Sequence, residues 1–321
     1  MKLTKPEDSA AKAIRFGVEL ETVIPTTSGV EIGRYHHGRP VVNGLVGHCL
    51  IDAPQFGNAR WRAERDGSIR YDANYAPCEF VSPILHGEAG VAALRKMIEF
   101  IRGIGGKVND SCGCHITVGI GSIIGVNDPT PHQIAEFCQR VAHIAQSNAW
   151  AIFAQTGTGR HVNSFSHALS DEVGGLLKQM KRHAADGVRV SSLAYSCGRG
   201  MVNFQKAFTH GCIEFRAFAG TLNESKVLHH LATVLGLCRR AATVQKFGRF
   251  NRKATKKHSR VANAVEALRR MWRLLGWVDS VPNRDCALGM FGALHSEFGA
   301  YRAVAVEMAQ QFESRFPAAN L

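Results

Sequence analysis

The chain has 321 residues, of which 45% are hydrophobic and 20% are charged, and its formal net charge is +13. These proportions are typical of a globular protein and exclude a disordered tail protein or a collagen-like fibre. No run of about 18 uncharged apolar residues occurs, so we expect no membrane-spanning helix and no membrane partner. We expect no secretory signal in MKLTKPEDSAAKAIRF. Nine cysteines without an even framework favour reduced thiols and a cytoplasmic location.

The positive charge is concentrated in one segment. Residues 239–273 contain twelve Lys or Arg and one acid, whereas the rest of the chain has 27 bases and 25 acids. Within this segment, residues 246–260 (KFGRFNRKATKKHSR) hold seven bases and no acid. Such a stretch is either a solvated linker or a contact for a polyanion. Since no recognisable nucleic-acid-binding fold accompanies it, we expect an acidic peptide or protein ahead of nucleic acid.

Hydrophobic periodicity predicts the secondary structure in chain order. Alternation with period two predicts strands at 14–24, 59–64, 77–82, 114–120, 200–206 and 211–218. Helical periodicity predicts helices at 88–103, 131–155, 171–185, 224–247, 260–276 and 297–315. Residues 30–58, rich in Gly, His and Pro, predict a long hairpin or covering loop. Strands with helices inserted between them favour an α+β fold with an antiparallel sheet.

Five of the predicted strands combine an apolar face with a face of polar residues. A solvated sheet face also carries charges, but Glu19 and Glu21 repel one another unless a cation lies between them. Carboxylates together with one imidazole suit Mg²⁺ or Mn²⁺. The polar faces hold, in chain order, Glu19, Glu21, Glu79, His115, Asn203, Glu214 and Arg216.

Seven motifs follow one another in a recognisable order. They are FGVELE (16–21), ERDGSI (64–69), CEFVSPIL (78–85), VNDSCGCHITVG (108–119), Arg160 before HVNSF, RGMVNF (199–204) and IEFRAFAGTL (213–222). Each motif is weak alone, but together they resemble the amidoligase family of glutamine-synthetase-like carboxylate–amine ligases, distantly related to glutamate–cysteine ligases. The resemblance spans roughly residues 14–240 and leaves the helical tail after 245 uncovered.

The resemblance implies a fold and a reaction. The expected fold is α+β, with a curved antiparallel sheet (a glutamine-synthetase-like half-barrel), inserted helices and a helical C-terminal part. We expect a catalytic domain over 1–245, with a basic linker and C-terminal helices over 246–321 packed on it. Enzymes of this kind bind ATP with two or three Mg²⁺, phosphorylate a carboxylate to an acyl phosphate, and let an amine attack it. The substrates are then a carboxylate and an amine donor, with a peptide or protein as one class. Oligomeric state is not implied.

The resemblance also implies roles for individual residues. Asp66 is expected to contact substrate or amine, although its place in Asp66-Gly67-Ser68 equally fits a plain turn. Arginines suit bidentate contact with phosphate or carboxylate. The implied metal ligands are Glu19, Glu21, Glu79, His115 and Glu214; the implied ATP contacts are Arg160, Arg199, Arg216 and Asn203; the implied catalytic residues are Arg216, Asp66 and Arg199.

Other functions compete with the ligase. The same residues would serve a kinase of a carboxylate or guanidino group, and the basic segment would serve a non-catalytic protein that binds nucleic acid or a partner. Zinc at Cys112-Gly113-Cys114-His115 is disfavoured, because the alternation places Cys114 and His115 on opposite strand faces and structural zinc needs four converging ligands. Gly157 and Gly159, just before Arg160, leave open a phosphate-facing loop.

Overall fold

The computed structural model describes residues 14–35, 39–40, 60–164, 166–169, 171–185, 200–244, 262–277 and 298–317. Eight strands in these ranges form one curved sheet in which the paired strands run antiparallel. They are β1 (Arg15–Pro25), β2 (Arg39–Pro40), β3 (Arg62–Glu64), β4 (Tyr75–Val81), β5 (Leu85–His86), β6 (Gly113–Gly119), β7 (Val202–Asn203) and β8 (Cys212–Ala219). The order across the sheet is β2-β3-β4-β1-β6-β8-β7, and β5 pairs with the start of β1.

Helices occupy most of the remaining described residues. They are α1 (Gly87–Gly103), α2 (Ile120–Ile124), α3 (Pro131–Ser147), α4 (Ala149–Ala154), a 3₁₀ turn (Gly159–Val162), α5 (Asp171–Ala185), α6 (Ala207–His210), α7 (Glu224–Thr243), α8 (Ala264–Leu274) and α9 (Phe298–Arg315). None of the helices in the described ranges is long and apolar enough to cross a membrane.

The central strands bury one face and leave the other to polar residues. Val18 of β1 pairs with Ile116 of β6, and Leu20 of β1 pairs with Phe80 of β4. All four side chains are buried, as period-two alternation with a packed face requires. This face packs under helices, among them α7, which is buried on every side from 227 to 238. The alternate residues of the same strands therefore point to the opposite face.

The C-terminal helices pack on helices from the earlier part of the chain. Helix α8 contacts α4, and α9 contacts α4, α7 and α8. Helix α8 begins at an N-cap, Asn263, whose side chain accepts a hydrogen bond from the backbone N–H of Glu266. Its buried stripe includes Leu268, Met271 and Trp272, as its apolar spacing predicts. The boundary at residue 245 between the two parts of the chain stays a prediction.

The α+β class with a curved antiparallel sheet is confirmed. The strands predicted at 14–24, 77–82, 114–120 and 211–218 lie within two residues of β1, β4, β6 and β8. The basic segment 246–260, Arg199 and most of the predicted loop 30–58 lie outside the described residues.

Several predicted elements were wrong in extent, and two of these differences have a local cause. The single helix predicted over 131–155 ends at Ser147 and restarts at Ala149, because the Asn148 side chain donates to the Ile144 carbonyl at 2.8 Å and competes with the helical backbone. The strand predicted over 200–206 is paired only at Val202–Asn203. There the Asn203 side-chain oxygen accepts the Gln205 N–H at 2.8 Å, which turns the chain away from the sheet.

Candidate active site

The register of the sheet brings the predicted polar residues onto one face. Glu21 of β1 lies opposite Glu79 of β4, and Glu19 lies opposite His115 of β6. Glu214 of β8 lies opposite Thr117, the next residue of β6 on the same face as His115. Directly opposed residues in an antiparallel pair project to the same side of the sheet. Side chains from four neighbouring strands therefore converge at one place.

His115 is at the centre of this cluster. Its Nδ1 lies 3.2 Å from Glu19 Oε2 and 3.4 Å from Glu214 Oε1, and its Nε2 lies 3.3 Å from Glu21 Oε1. The imidazole is 2% exposed. Burial lowers its pKa, and this effect outweighs the opposite influence of Glu21 and Glu214. A neutral imidazole among carboxylates is the form that ligates a cation.

Two overlapping sets of side chains could each hold a metal ion. Glu19, Glu79 and His115 form one set, and Glu21, Asp66 and Glu79 form the other, with ligand atoms within 4.8 Å of one another in each. Glu79 belongs to both. Burial, followed by the charges of Glu19 and Glu21, raises the pKa of Glu79 well above its ordinary value. Such crowding of oxygen ligands is relieved by a hard divalent cation, so these residues fit Mg²⁺ or Mn²⁺.

Asp66 makes the turn expected from the sequence and also lies beside the carboxylate cluster. Its Oδ1 accepts the Ser68 N–H at 2.6 Å, which makes the turn. Its carboxylate also approaches Glu21 and Glu79 closely enough to share a cation with them. Asp66 therefore shapes the turn and also belongs to the metal-capable set with Glu21 and Glu79.

Glu64 belongs to the same face but was missed as a site residue. It lies opposite Glu79 in the pairing of β3 with β4, and it is 2% exposed. Its Oε1 lies 3.3 Å from Arg62 Nε. The alternation of Glu64 with the buried Ala63 in a predicted strand could have indicated its polar face. The sequence does not give the register that places β3 beside β4.

Tyr35 is a second residue that sequence reasoning missed. The preceding Gly33 exchanges backbone hydrogen bonds with Ala63 and Arg65, which runs this segment alongside β3. Burial, and then the negative charges of Glu79 and Asp66, raise the pKa of the Tyr35 phenol. The phenol therefore lies within electrostatic reach of the carboxylate cluster. Its loop has no periodic pattern that would predict this position.

Two arginines face the acids from the β8 side. Arg216 Nη1 donates to Glu214 Oε1 at 2.5 Å, and Arg160 Nη2 donates to the Arg216 carbonyl at 3.0 Å. Burial tends to lower the pKa of Arg216, but Glu214 and the neighbouring carboxylates outweigh it and the pKa is raised. Arg160 is 5% exposed, and its Nε has no hydrogen-bond partner among the described residues. The face thus has an acidic half and a cationic half.

Gly113 holds the cluster together through its backbone. Its N–H donates to Glu21 Oε2 at 2.5 Å. A Cβ at this position would lie 2.7 Å from His115 Nε2 and 2.9 Å from Arg160 Nη2, closer than real side-chain contacts allow. A side chain at this position would therefore displace site residues, because His115, Arg160 and Glu21 all lie within 3.2 Å of where its Cβ would be.

Asn203 contacts the carboxylate cluster, and two buried cysteines lie on the same stretch of chain as His115. Asn203 Nδ2 donates to Glu214 Oε2 at 3.0 Å, so this amide orients a carboxylate of the cluster. Cys112 and Cys114 are buried free thiols, and burial raises their pKa values to about 11 and about 12 respectively. Neither thiol belongs to the two metal-ligand sets found among the described residues.

The family model described as "Putative amidoligase enzyme" matches residues 12–238, more than two thirds of the chain. A solved structure described as the crystal structure of a novel glutamine synthase homolog aligns over 96% of this chain and 69% of its own, with 10% identity and a TM-score of 0.36. No curated protein sequence matches the chain significantly. The match over residues 12–238 includes every site residue described above, and the chain belongs to the amidoligase family.

Proposed function

We propose that the protein is an ATP- and Mg²⁺-dependent carboxylate–amine ligase that forms an amide or isopeptide bond through an acyl phosphate. The observation that supports this most strongly is the division of one sheet face into two metal-ligand sets that share Glu79 and a cationic half at Arg160 and Arg216. Phosphoryl transfer needs cations around the phosphate oxygens and little covalent help from the protein. Family membership supports the ligase outcome of that transfer.

Divalent cations fit the acidic half of the site. Glu19, Glu79 and His115 would hold one ion, and Glu21, Asp66 and Glu79 a second. Glu214, whose Oε1 lies 3.4 Å from His115 Nδ1, would complete the shell. When bound, Mg²⁺ or Mn²⁺ would neutralise phosphate oxygens that these carboxylates would otherwise repel.

The proposed reaction consists of two consecutive displacement steps. In the first, a carboxylate oxygen of the substrate bonds to the γ-phosphorus of ATP, and the bond to the bridging oxygen breaks to release ADP. In the second, the amine nitrogen bonds to the carbonyl carbon, the carbon–oxygen bond to phosphate breaks, and the amine loses a proton. Arg160 and Arg216 would hold the anionic groups in line, where a planar guanidinium can contact two oxygens at once. Arg199 has the same proposed role from outside the described residues.

An acidic peptide or protein is the proposed carboxylate substrate. The basic segment 246–260 precedes α8 in the sequence, and α8 exposes Arg269, Arg270 and Arg273. Two of these, Arg269 and Arg273, are four residues apart, a spacing at which like charges on a helix repel. A polyanion that carries many carboxylates would relieve this repulsion and would also present the group that the site activates. Nucleic acid is the competing partner.

ADP release tests the proposed reaction. The full-length protein is incubated with ATP and Mg²⁺, with a panel of carboxylates and acidic peptides, and with or without ammonia or a primary amine. The ligase requires both an acid and an amine for sustained ADP release, and EDTA stops it. A stable phosphorylated product formed without amine would instead identify a kinase. ATP left intact under every condition, with salt-sensitive binding of nucleic acid, would identify a non-catalytic binding protein.

A further inference from the structure

The loop that carries Arg160 into the site is covered on its outer side by the C-terminal end of α9. Arg315 Nη1 donates to the carbonyl of Gly157 at 3.0 Å, across 158 residues of sequence. The His161 ring, next to Arg160, packs edge-on against Phe312 and Phe316, with ring centroids 5.2 and 4.8 Å apart. The loop is therefore attached to α9 at both sides of Arg160.

Gly157, the first of two glycines before Arg160, permits this contact. Gly157 has φ +64°, a left-handed conformation that favours glycine. A Cβ at Gly157 would lie 3.2 Å from Met308 Sδ, and one at Gly159 would lie 3.5 Å from the Phe316 ring. Gly157 thus allows close approach to α9, whereas a Cβ at Gly159 would make only an ordinary contact. The sequence leaves open a phosphate-facing loop at Gly157 and Gly159; in the structure their α-carbons face α9.

Arg160 itself is held mainly through its backbone and by one side-chain bond. Its carbonyl accepts the Ser166 hydroxyl at 2.8 Å and the Asn163 N–H at 3.1 Å. Its guanidinium reaches the Arg216 carbonyl, while its buried Nε has no hydrogen-bond partner among the described residues. A buried guanidinium with so few fixed contacts depends on the position of the loop that carries it.

Helix α9 is itself fixed at both ends. The Tyr301 hydroxyl accepts a hydrogen bond from Arg95 Nη2 of α1 at 3.3 Å. Near the other end, Glu313 Oε2 accepts the Ala264 N–H at the start of α8, at 2.5 Å. The contact with the Arg160 loop therefore comes from a well-anchored helix and not from a free end of the chain.

We propose that the segment 312–316 is a positioning element for Arg160, and that the C-terminal part of the chain is thereby required for the geometry of the active site. This segment lies outside the residues 12–238 that match the family model. The expected effect of this segment on nucleotide binding rests on the proposed function, in which Arg160 contacts phosphate. The expected effect on the position of the Arg160 guanidinium does not depend on that function.

A double-mutant cycle on the full-length protein tests the nucleotide arm. Binding of a non-hydrolysable ATP analogue with Mg²⁺ is measured by calorimetry for Arg315→Ala, Arg160→Ala and the double variant, with Arg315→Lys as the conservative variant. We expect Arg315→Ala to weaken binding by about threefold or more, Arg315→Lys to restore most of it, and Arg315→Ala to add nothing when Arg160 is already alanine. Gln310→Ala, an exposed change on α9, is the matched control.

A second readout does not depend on nucleotide. In protein labelled with [¹⁵N]arginine, the Arg160 Nε–H signal is assigned by its loss in Arg160→Lys. The proposal predicts that Arg315→Ala and Phe316→Ala shift or broaden this signal and that Gln310→Ala does not. If the wild-type protein binds no ATP analogue, the proposed function fails. The Arg160 signal then still tests whether segment 312–316 positions this guanidinium. An unchanged signal in both variants, or equal effects of Arg315→Ala with and without Arg160, overturns the proposal.

Discussion

Glu21 and Glu79 occupy directly opposed positions on β1 and β4, and both side chains are buried. Like charges directly opposite in a sheet are destabilising. The sheet tolerates this pair because Gly113 N–H donates to Glu21 and because the pKa of Glu79 is raised, first by burial and then by its acidic neighbours. A divalent cation would stabilise the same arrangement more effectively, and that expectation gives the first prediction.

Mg²⁺ or Mn²⁺ should raise the thermal unfolding temperature. A ligand at about 100 times its Kd stabilises the native state by about 2.7 kcal/mol, which corresponds to a few degrees for a chain of this size. The increase should disappear in Glu79→Gln, which removes the carboxylate common to both sets. Glu99→Gln, an exposed change on α1, should retain it. Equal metal-induced shifts in Glu79→Gln and wild type would exclude this residue as a ligand.

Glu19→Gln and Glu214→Gln should abolish ADP release while the fold persists. Glu19→Gln removes one negative charge from a crowded cluster, so the apo protein should unfold at the wild-type temperature or slightly above it. Glu214→Gln also removes the charge partner of Arg216, so this variant should stay folded but unfold at a lower temperature. Turnover should fall by about 100-fold or more, because the cations would lose a carboxylate ligand. Steady-state ADP release and circular dichroism melting separate the two effects. Wild-type turnover in either variant would show that its carboxylate is not a ligand.

Gly113→Ala should damage catalysis more than stability. The new methyl group would collide with His115 Nε2 and Arg160 Nη2 and would move both. We expect a loss of about 100-fold in turnover, since small displacements of positioned groups are that costly. Gly103→Ala is the control, because a Cβ there meets nothing within 4 Å. If Gly113→Ala turned over as fast as the control, a methyl group at this position would not displace His115 and Arg160, and the prediction would be wrong.

Stability should decline on mild acidification because of two buried histidines. Burial lowers the pKa of both His229 and His230 to about 3, whereas in the unfolded chain each titrates near its ordinary value of 6.5. Between these values the unfolded state binds protons that the native state does not, so stability is lost as pH falls below about 6.5. Each group contributes up to about 1.4 kcal/mol per pH unit.

Denaturant unfolding at several pH values measures this dependence. His230 stacks on Phe218 with centroids 4.3 Å apart, so His230→Phe keeps an aromatic ring there and should make the dependence shallower. His132→Gln, an exposed change on α3, should leave the slope as it is. An equally steep dependence in His230→Phe and wild type would assign the acid sensitivity to other groups.

Neutralising Lys253, Lys256 and Lys257 together should weaken binding of an acidic polypeptide. The loss should be largest at low ionic strength and should shrink as salt is added, because exposed charges are screened over about 10 Å at 0.1 M salt. Turnover of a small carboxylate should be unaffected. Fluorescence anisotropy with a labelled polyglutamate and with a nucleic acid of equal charge compares the two partners. Preferential loss of nucleic-acid binding would favour the competing partner.

Alternation along single strands was enough to predict much of the site. Glu19, Glu21, Glu79, His115 and Glu214 were each assigned to a polar face, and the register brings them together. Period two carries this information because a strand with one packed face must expose its other parity. The same pattern cannot say which strands are neighbours, and the convergence on His115 is therefore visible only in the structure.

The residues that were missed depend on contacts between distant parts of the chain. Glu64 needs the register of β3 on β4, and Tyr35 lies in a loop without periodicity. The hydrogen bond between Arg315 and Gly157 joins residues with no shared motif. Tertiary packing decided each of these positions.

Transfer of oxygen from the substrate tests the central claim most directly. A carboxylate found to support ADP release is prepared with ¹⁸O in its carboxyl group and turned over with ATP, Mg²⁺ and the amine, and the released phosphate is examined by mass spectrometry. An acyl phosphate predicts one ¹⁸O atom in each phosphate, because the bond broken by the amine joins carbon to the substrate oxygen. Phosphate without ¹⁸O, formed together with the amide, would contradict a carboxylate–phosphate intermediate.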